Sequence, residues 1–335
     1  MIHIRPFDFN SDQDYQSMID IYNANWPDQP ASASYEKRTD SLRVAEHYFR
    51  RLLVVLDVST PEPGRVVAFA DYGHMPWSFH PCKYYCNVQV HPEFQNQGIG
   101  TTLYNQIVGD LTHRDPESLE SATREDKTIA RGFLERRGFT VASRTPNSEL
   151  DPALFDPAEF VDVVERVRSE GIAIRNFADL DATYPDHLRR LYDLELETMQ
   201  DVPWHNDFTA MPFEQYVKSY QDNPDLLPRG YLVALDGDRY VGLTQLWGSD
   251  ASDAIIYTGF TAVARAYRRQ GIATALKALA IGYAKILTTS EGRPPVIRTS
   301  NEETNPMFQL NLRLGFREQP AWLIYRKPLS DAATS

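Results

Sequence analysis

Apolar and polar positions along the chain follow two periods, and each period returns in a second half. Leu103, Ile107 and Leu111 fall on one face of a 3.6-residue helix, as do Leu276, Ala280, Tyr283 and Leu287 further on. Period-two alternation fills "GYLVALDGDRYVGLTQLW" (230–247), where two β-rich runs flank Asp-Gly, a strong hairpin signal. "YYCNVQV" (84–90) and "AIIYTGFTAV" (254–263) read as further strands, and "YQSMIDIYNAN" (15–25) and "HLRRLYDLELETM" (187–199) as helical regions.

The halves correspond segment by segment. "IHIRPFDF" (2–9), "LVVLD" (53–57), "QNQGIG" (95–100) and "ERRGF" (135–139) return in the same order as "IAIRNFAD" (172–179), "LVALD" (232–236), "RRQGIA" (268–273) and "LRLGF" (312–316). A repeat of roughly 170–180 residues is far longer than a solenoid unit, so each copy should own a core. Each copy reads as a strand, a helical region, an antiparallel pair, a further strand, a glycine turn with its helix, a strand, a helix closing on Gly-Phe and a last strand. That order is mixed α/β. The expected division is a domain over 1–147, a linker over 148–171 and a second domain over 172–330. The linker begins rich in Pro, Ser and Asp and ends in a segment where Val161, Val164 and Val167 recur at near-helical spacing.

Composition narrows the classes. With 335 residues, 42% hydrophobic and 24% charged, the chain has enough apolar surface for two folded domains. The longest apolar runs fall far short of the ~20 residues of a membrane helix, and the start lacks the basic and apolar regions of a signal peptide, so a cytoplasmic protein off the membrane is expected. Two cysteines, Cys82 and Cys86, do not make a disulfide framework. Their spacing, with His80 and His91 nearby, is looser than structural zinc pairs, and no metal is expected. A net charge of −12 opposes nucleic-acid binding and favours cationic small molecules or peptides.

The glycine turns carry the chemistry. The first amides of a helix have no partner within it and sit at the positive end of its dipole, so they can receive an anion. Gly98 and Gly100, like Gly271 and Ala273, keep the backbone bare for a phosphate. Neither turn has the G-K-[ST] of a Walker A loop, and neither has the third glycine of a dinucleotide fingerprint.

"QNQGIG" and "RRQGIA" resemble the [QR]-x-x-G-x-[GA] acetyl-CoA motif of the GCN5-related N-acetyltransferases, the GNAT superfamily. "ARGFLERRGF" (130–139) and "NPMFQLNLRLGF" (305–316) resemble its next helix. The likeness covers most of both copies and is similar to the tandem-domain subgroup. It implies two GNAT-type domains, each a mixed, mostly antiparallel sheet flanked by helices, with strands four and five splayed around pantetheine. It implies that acetyl-CoA is bound by Gln95, Asn96, Gln97, Gly98, Ile99, Gly100 and Thr101, and by Arg268, Arg269, Gln270, Gly271, Ile272, Ala273 and Thr274. Backbone at Val90, Thr261 and Val263 and the amides of Asn301 and Asn305 would take part.

The resemblance also implies N-acetyl transfer to a small amine or a peptide amine. Arg265, Arg268 and Arg269 favour phosphate at the second turn, whereas the first has only neutral Gln95, Asn96 and Gln97, so the C-terminal copy is expected to be the catalytic one. The family's leaving-group tyrosine is replaced by Leu134 and Asn311. Asn311, Tyr257, Asp201 and His205 are the candidates for the chemistry. Two alternatives are an acyl-CoA-binding sensor or scaffold with degenerate sites, and an interaction protein that binds no CoA. The acceptor, and whether the chain is a monomer or a homodimer, stay open.

Overall fold

The structure is a computed structural model that describes residues 2–42, 48–57, 64–202, 208–221 and 223–329. The first copy contains β1 (Ile2–Pro6), α1 (Asp12–Asn25), α2 (Ala33–Ser41), β2 (Arg50–Asp57), β3 (Arg65–Gly73), β4 (Lys83–Val90), α3 (Ile99–Thr112), β5 (Ser118–Arg124), α4 (Thr128–Glu135) and β6 (Thr140–Leu150). Then follow α5 (Val161–Ser169), β7 (Ile172–Asn176), α6 (Phe177–Thr183), α7 (His187–Met199), α8 (Phe213–Tyr220), β8 (Leu232–Asp236), β9 (Arg239–Trp247), β10 (Ile255–Val263), α9 (Ile272–Lys285), β11 (Val296–Ser300), α10 (Pro306–Arg313) and β12 (Arg317–Pro328).

These elements form two compact units that are not contiguous in sequence. Among the described residues, the first unit holds those of 2–144, 208–209 and 322–329, and the second those of 145–202 and 210–321. In the first, β1, β2, β3 and β4 pair antiparallel in chain order, β4 pairs parallel with β5, and β5 pairs antiparallel with β12. In the second, β7, β8, β9 and β10 pair antiparallel, β10 pairs parallel with β11, and β11 pairs antiparallel with the end of β6.

The topology is thus written twice, except that each unit takes its sixth strand from the other copy. The 147/148 boundary expected from composition falls inside β6. Residues 145–150 alternate in burial, with Pro146, Ser148 and Leu150 inward, but two of those three are not the apolar residues that announce a strand.

Leu103, Ile107 and Leu111 of α3 are fully buried among Tyr72, Leu119 and Tyr325. Sealing such leucines from water stabilises the fold by about 2 kcal/mol each. Leu276 and Ala280 of α9 are buried, whereas α9 stops at Lys285, so Leu287 lies past its end. In α5, Val164 and Val167 are buried as the valine spacing predicts and Val163 packs against the same core, while Val161, at the helix start, is exposed. Among the described residues no helix is long and apolar enough to cross a membrane.

Candidate functional site

Each unit contains a fork. The parallel pairing of β4 with β5 runs from Lys83↔Ser118 to Tyr85↔Glu120, and that of β10 with β11 from Ile255↔Val296 to Tyr257↔Arg298. Beyond those pairs β5 runs on beside β12, and β11 beside β6. Residues 86–90 and 258–263 continue with a strand neighbour on one side only among the described residues, and such a bare strand side can hydrogen-bond an extended ligand.

Tyr257, half-buried, stands at the last pair before its fork opens. The second fork also has a bulge, since the β9–β10 register shifts between Thr258 and Thr261; β3 and β4 pair without a shift. A bulge bends its strand and increases the local twist, which helps β10 leave β11. Gly259 lies in it, and a Cβ there would stand 2.6 Å from Gln245 Oε1.

The two turns that follow share one backbone shape. Asn96 and Gly98 have φ of 61° and 83°, and Arg269 and Gly271 have 64° and 87°. Gln95 donates through Nε2 to Val90 O at 3.1 Å, and Arg268 through Nε to Val263 O at 2.9 Å. Gln97 and Gln270 each donate to the carbonyl four residues back, at 3.3 Å. The motif's first and third side chains therefore shape the turn, and the first-turn amides of α3 and α9 have no acceptor within their helices. Ile99 and Ile272 are buried, so their side chains serve the cores; Thr101 and Thr274 continue the same first turns.

Close approach differs between the turns. Nothing lies within 4 Å of the Cβ that Gly98 lacks, whereas at Gly271 that position is 2.8 Å from Val163 Cγ2 and 2.9 Å from Arg166 Nη2 of α5. At Gly100 it is 3.3 Å from Phe133, while the corresponding second-turn residue, Ala273, carries a methyl.

The charges are distributed differently from the sequence reading. Arg265 and Arg268 both donate to Asp201, Arg265 Nε at 2.9 Å, and these bonds hold the Asp201 carboxyl down to about 2. Asp201 is thus an ion-pair partner with little basicity, not a group poised to take a proton near neutrality. Arg269 and Arg166 have no partner among the described residues. The first turn also has a cation: Arg137 lies 3.6 Å over the Phe133 ring and donates to Thr101 Oγ1 at 2.7 Å. Its signal was the Arg before Gly138 in "ERRGF", where the second copy has Leu314.

The remaining candidates lie in the second unit, apart from His205, which is outside the described residues. Asn311 is buried and donates through Nδ2 to Asn301 Oδ1 at 2.6 Å, while its own Oδ1 is buried with no hydrogen-bond partner among the described residues. Asn305 caps α10, its Oδ1 accepting from Met307 N at 2.9 Å, so its side chain is occupied by the helix. Thr261 Oγ1 shares a 2.7 Å hydrogen bond with Thr244 Oγ1.

Two groups escaped the sequence reading. Glu195 Oε1 accepts from Tyr216 (2.9 Å), Gln245 Nε2 (3.0 Å), Tyr231 (3.1 Å) and Tyr220 (3.3 Å), and burial raises its pKa. Lys277 on α9 is buried, which pushes its pKa down to about 7. Cys82 and Cys86 are both free thiols, and among the described residues no group of three His, Cys, Asp or Glu could hold a metal.

The sequence model of the acetyltransferase (GNAT) family matches residues 15–139 and 188–291. A tandem GNAT protein from the clavulanic acid biosynthesis pathway superposes with a TM-score of 0.74 at 18% identity, covering 98% of this chain and 99% of that one. A GCN5-related N-acetyltransferase from Sphaerobacter thermophilus gives 0.64 at 20%, covering 98% and 95%. A glucosamine N-acetyltransferase region of a fungal multi-domain β-N-acetylglucosaminidase gives 0.67 at 14%, covering 98% of this chain and 38% of the other. Among curated proteins, none matches the sequence.

Proposed function

Because the chain belongs to the acetyltransferase (GNAT) family, we propose that it transfers an acetyl group from acetyl-CoA to a small amine, with the chemistry in the second unit. The observation that carries this reading is the fork followed by a left-handed glycine turn that opens α9 with bare amides. These groups fit coenzyme A: the amides of residues 270–274, with Arg269 and Arg166 beside them, would hold the diphosphate, and the bare side of β10 would hold the extended pantetheine. When bound, acetyl-CoA supplies an acyl carbon activated as a thioester. The chain's own part is to align the acceptor nitrogen with that carbon and to keep water from competing.

Three features favour the second unit over the first. Its β10 carries the bulge, its turn has two unpaired guanidiniums among the described residues, and its fork lies in the unit that holds the Asn301–Asn311 pair and Glu195. A sensor that binds acyl-CoA without turnover is the second reading. Its support is that the position of the family's leaving-group acid holds Asn311, tied to Asn301, and in the first copy Leu134, neither of which can give up a proton.

Thiol release from acetyl-CoA, followed across a panel of amines, separates the two readings. The transferase reading expects turnover in the intact protein, and in R166A/R269A a KM for acetyl-CoA raised about tenfold, consistent with two lost charge-assisted contacts. Coenzyme A binding by calorimetry with no thiol released on any amine would select the sensor.

A further inference from the structure

We infer that Glu195 forms the acceptor subsite of the second unit, receiving the ammonium group of a cationic primary amine on its free carboxylate oxygen. This rests on the reading of that unit as an N-acetyltransferase. Glu195 lies on the side of α7 that carries the buried Leu191, Leu194 and Thr198, so its carboxylate is directed into the unit. Four donors meet there on one oxygen, Oε1, and all four are neutral: three tyrosine hydroxyls and an amide. They satisfy the oxygen without cancelling its charge. Among the described residues no Lys, Arg or His pairs with Glu195, and Oε2 has no partner. Burial without a counter-ion disfavours the ionised carboxylate and raises its pKa, and an arriving ammonium group would restore the balance toward the ionised form.

The surroundings suit a cation. Tyr216 and Tyr220 have ring centroids 4.9 Å apart, and Tyr220 and Trp247 5.6 Å apart, so aromatic rings, whose faces attract ammonium groups, cluster around the carboxylate. A structural role alone does not require the charge, because a glutamine at 195 would accept the same hydrogen bonds from the tyrosines. The subsite is also joined to the fork. Gln245, which donates to Glu195 through Nε2, accepts through Oε1 from the backbone N–H of Phe260 at 3.1 Å, at the bulge of β10. One side chain therefore spans from the carboxylate to the strand on which the acyl group would lie.

The test compares E195Q with the unaltered full-length chain at pH 7, using acetyl-CoA with n-butylamine, putrescine and tyramine, which are cationic at that pH, and with aniline, which is neutral. The expected result is a kcat/KM for the cationic amines reduced about tenfold or more, with aniline within about twofold and acetyl-CoA affinity unchanged. An equal fall for all four amines, or no fall for any, overturns the inference, since a structural lesion does not discriminate by acceptor charge. Calorimetry with the same amines decides the matter if thiol release is absent: binding to the intact chain that E195Q abolishes upholds the subsite, and no binding to the intact chain overturns it. Loss of coenzyme A binding in the intact chain would instead strike at the transferase reading.

Discussion

The ammonium of Lys277 lies 5.6 Å from the centroid of the Phe316 ring, with no carboxylate paired to it among the described residues. Desolvation lowers its pKa from 10.5 to about 7, so between those values the unfolded chain binds a proton that the folded chain does not. Stability therefore rises with pH across that window, and the full cost is felt below about 7. Lys277→Met is expected to raise stability at pH 6 by about 1–3 kcal/mol and to flatten the dependence between pH 7 and 10, read from denaturant midpoints. Asp201 acts in the opposite sense on ligand binding, because it neutralises two arginines beside the second turn. Asp201→Asn should tighten coenzyme A about two- to fivefold at low salt, an effect that fades as salt is added; weaker binding would show that the aspartate orders the turn. Asp201 could be read from the sequence as an acid near the cleft, but its partners could not, since Arg265 and Arg268 are more than sixty residues away. Glu195 was invisible for the same reason. Its tyrosines come from α8 and from the residue just before β8, and only the folded chain brings them to one oxygen.

The elements most legible in advance were those with local causes. The glycine turn, its helix and the Gly237 hairpin each follow from residues that permit a left-handed backbone next to a periodic apolar pattern. The bulge in β10 was not legible, because it depends on a register shift against β9. Neither was β6, whose inward positions include proline and serine. The two turns now allow a comparison. Gly98→Ala meets backbone strain alone, about 1–2 kcal/mol, whereas Gly271→Ala meets the same strain and a methyl driven into Val163 of α5, about 2–4 kcal/mol in all. Chemical denaturation of both variants tests this ordering; equal losses would mean that α5 yields readily.

For the whole molecule, the duplication was written plainly in the sequence, but the exchange of sixth strands was not, since pairing across most of the chain leaves no local mark. Trp322 packs against Trp26 with ring centroids 4.8 Å apart and planes tilted by 39°, Tyr325 is fully buried, and residues 322–328 pair with β5 throughout. Ending the chain at Ala321 should therefore abolish cooperative unfolding of the first unit while amides of β8 and β9 in the second stay protected in hydrogen exchange. Protection retained in both units would contradict the exchange. The arrangement also orders events on the ribosome. Residues 1–144 emerge first, yet the edge of β5 has no partner until roughly 200 more residues have been made, about 10–40 s at ordinary rates of synthesis. Through that interval a nascent N-terminal half carries an open sheet edge, which makes chaperone protection and translation speed determinants of yield.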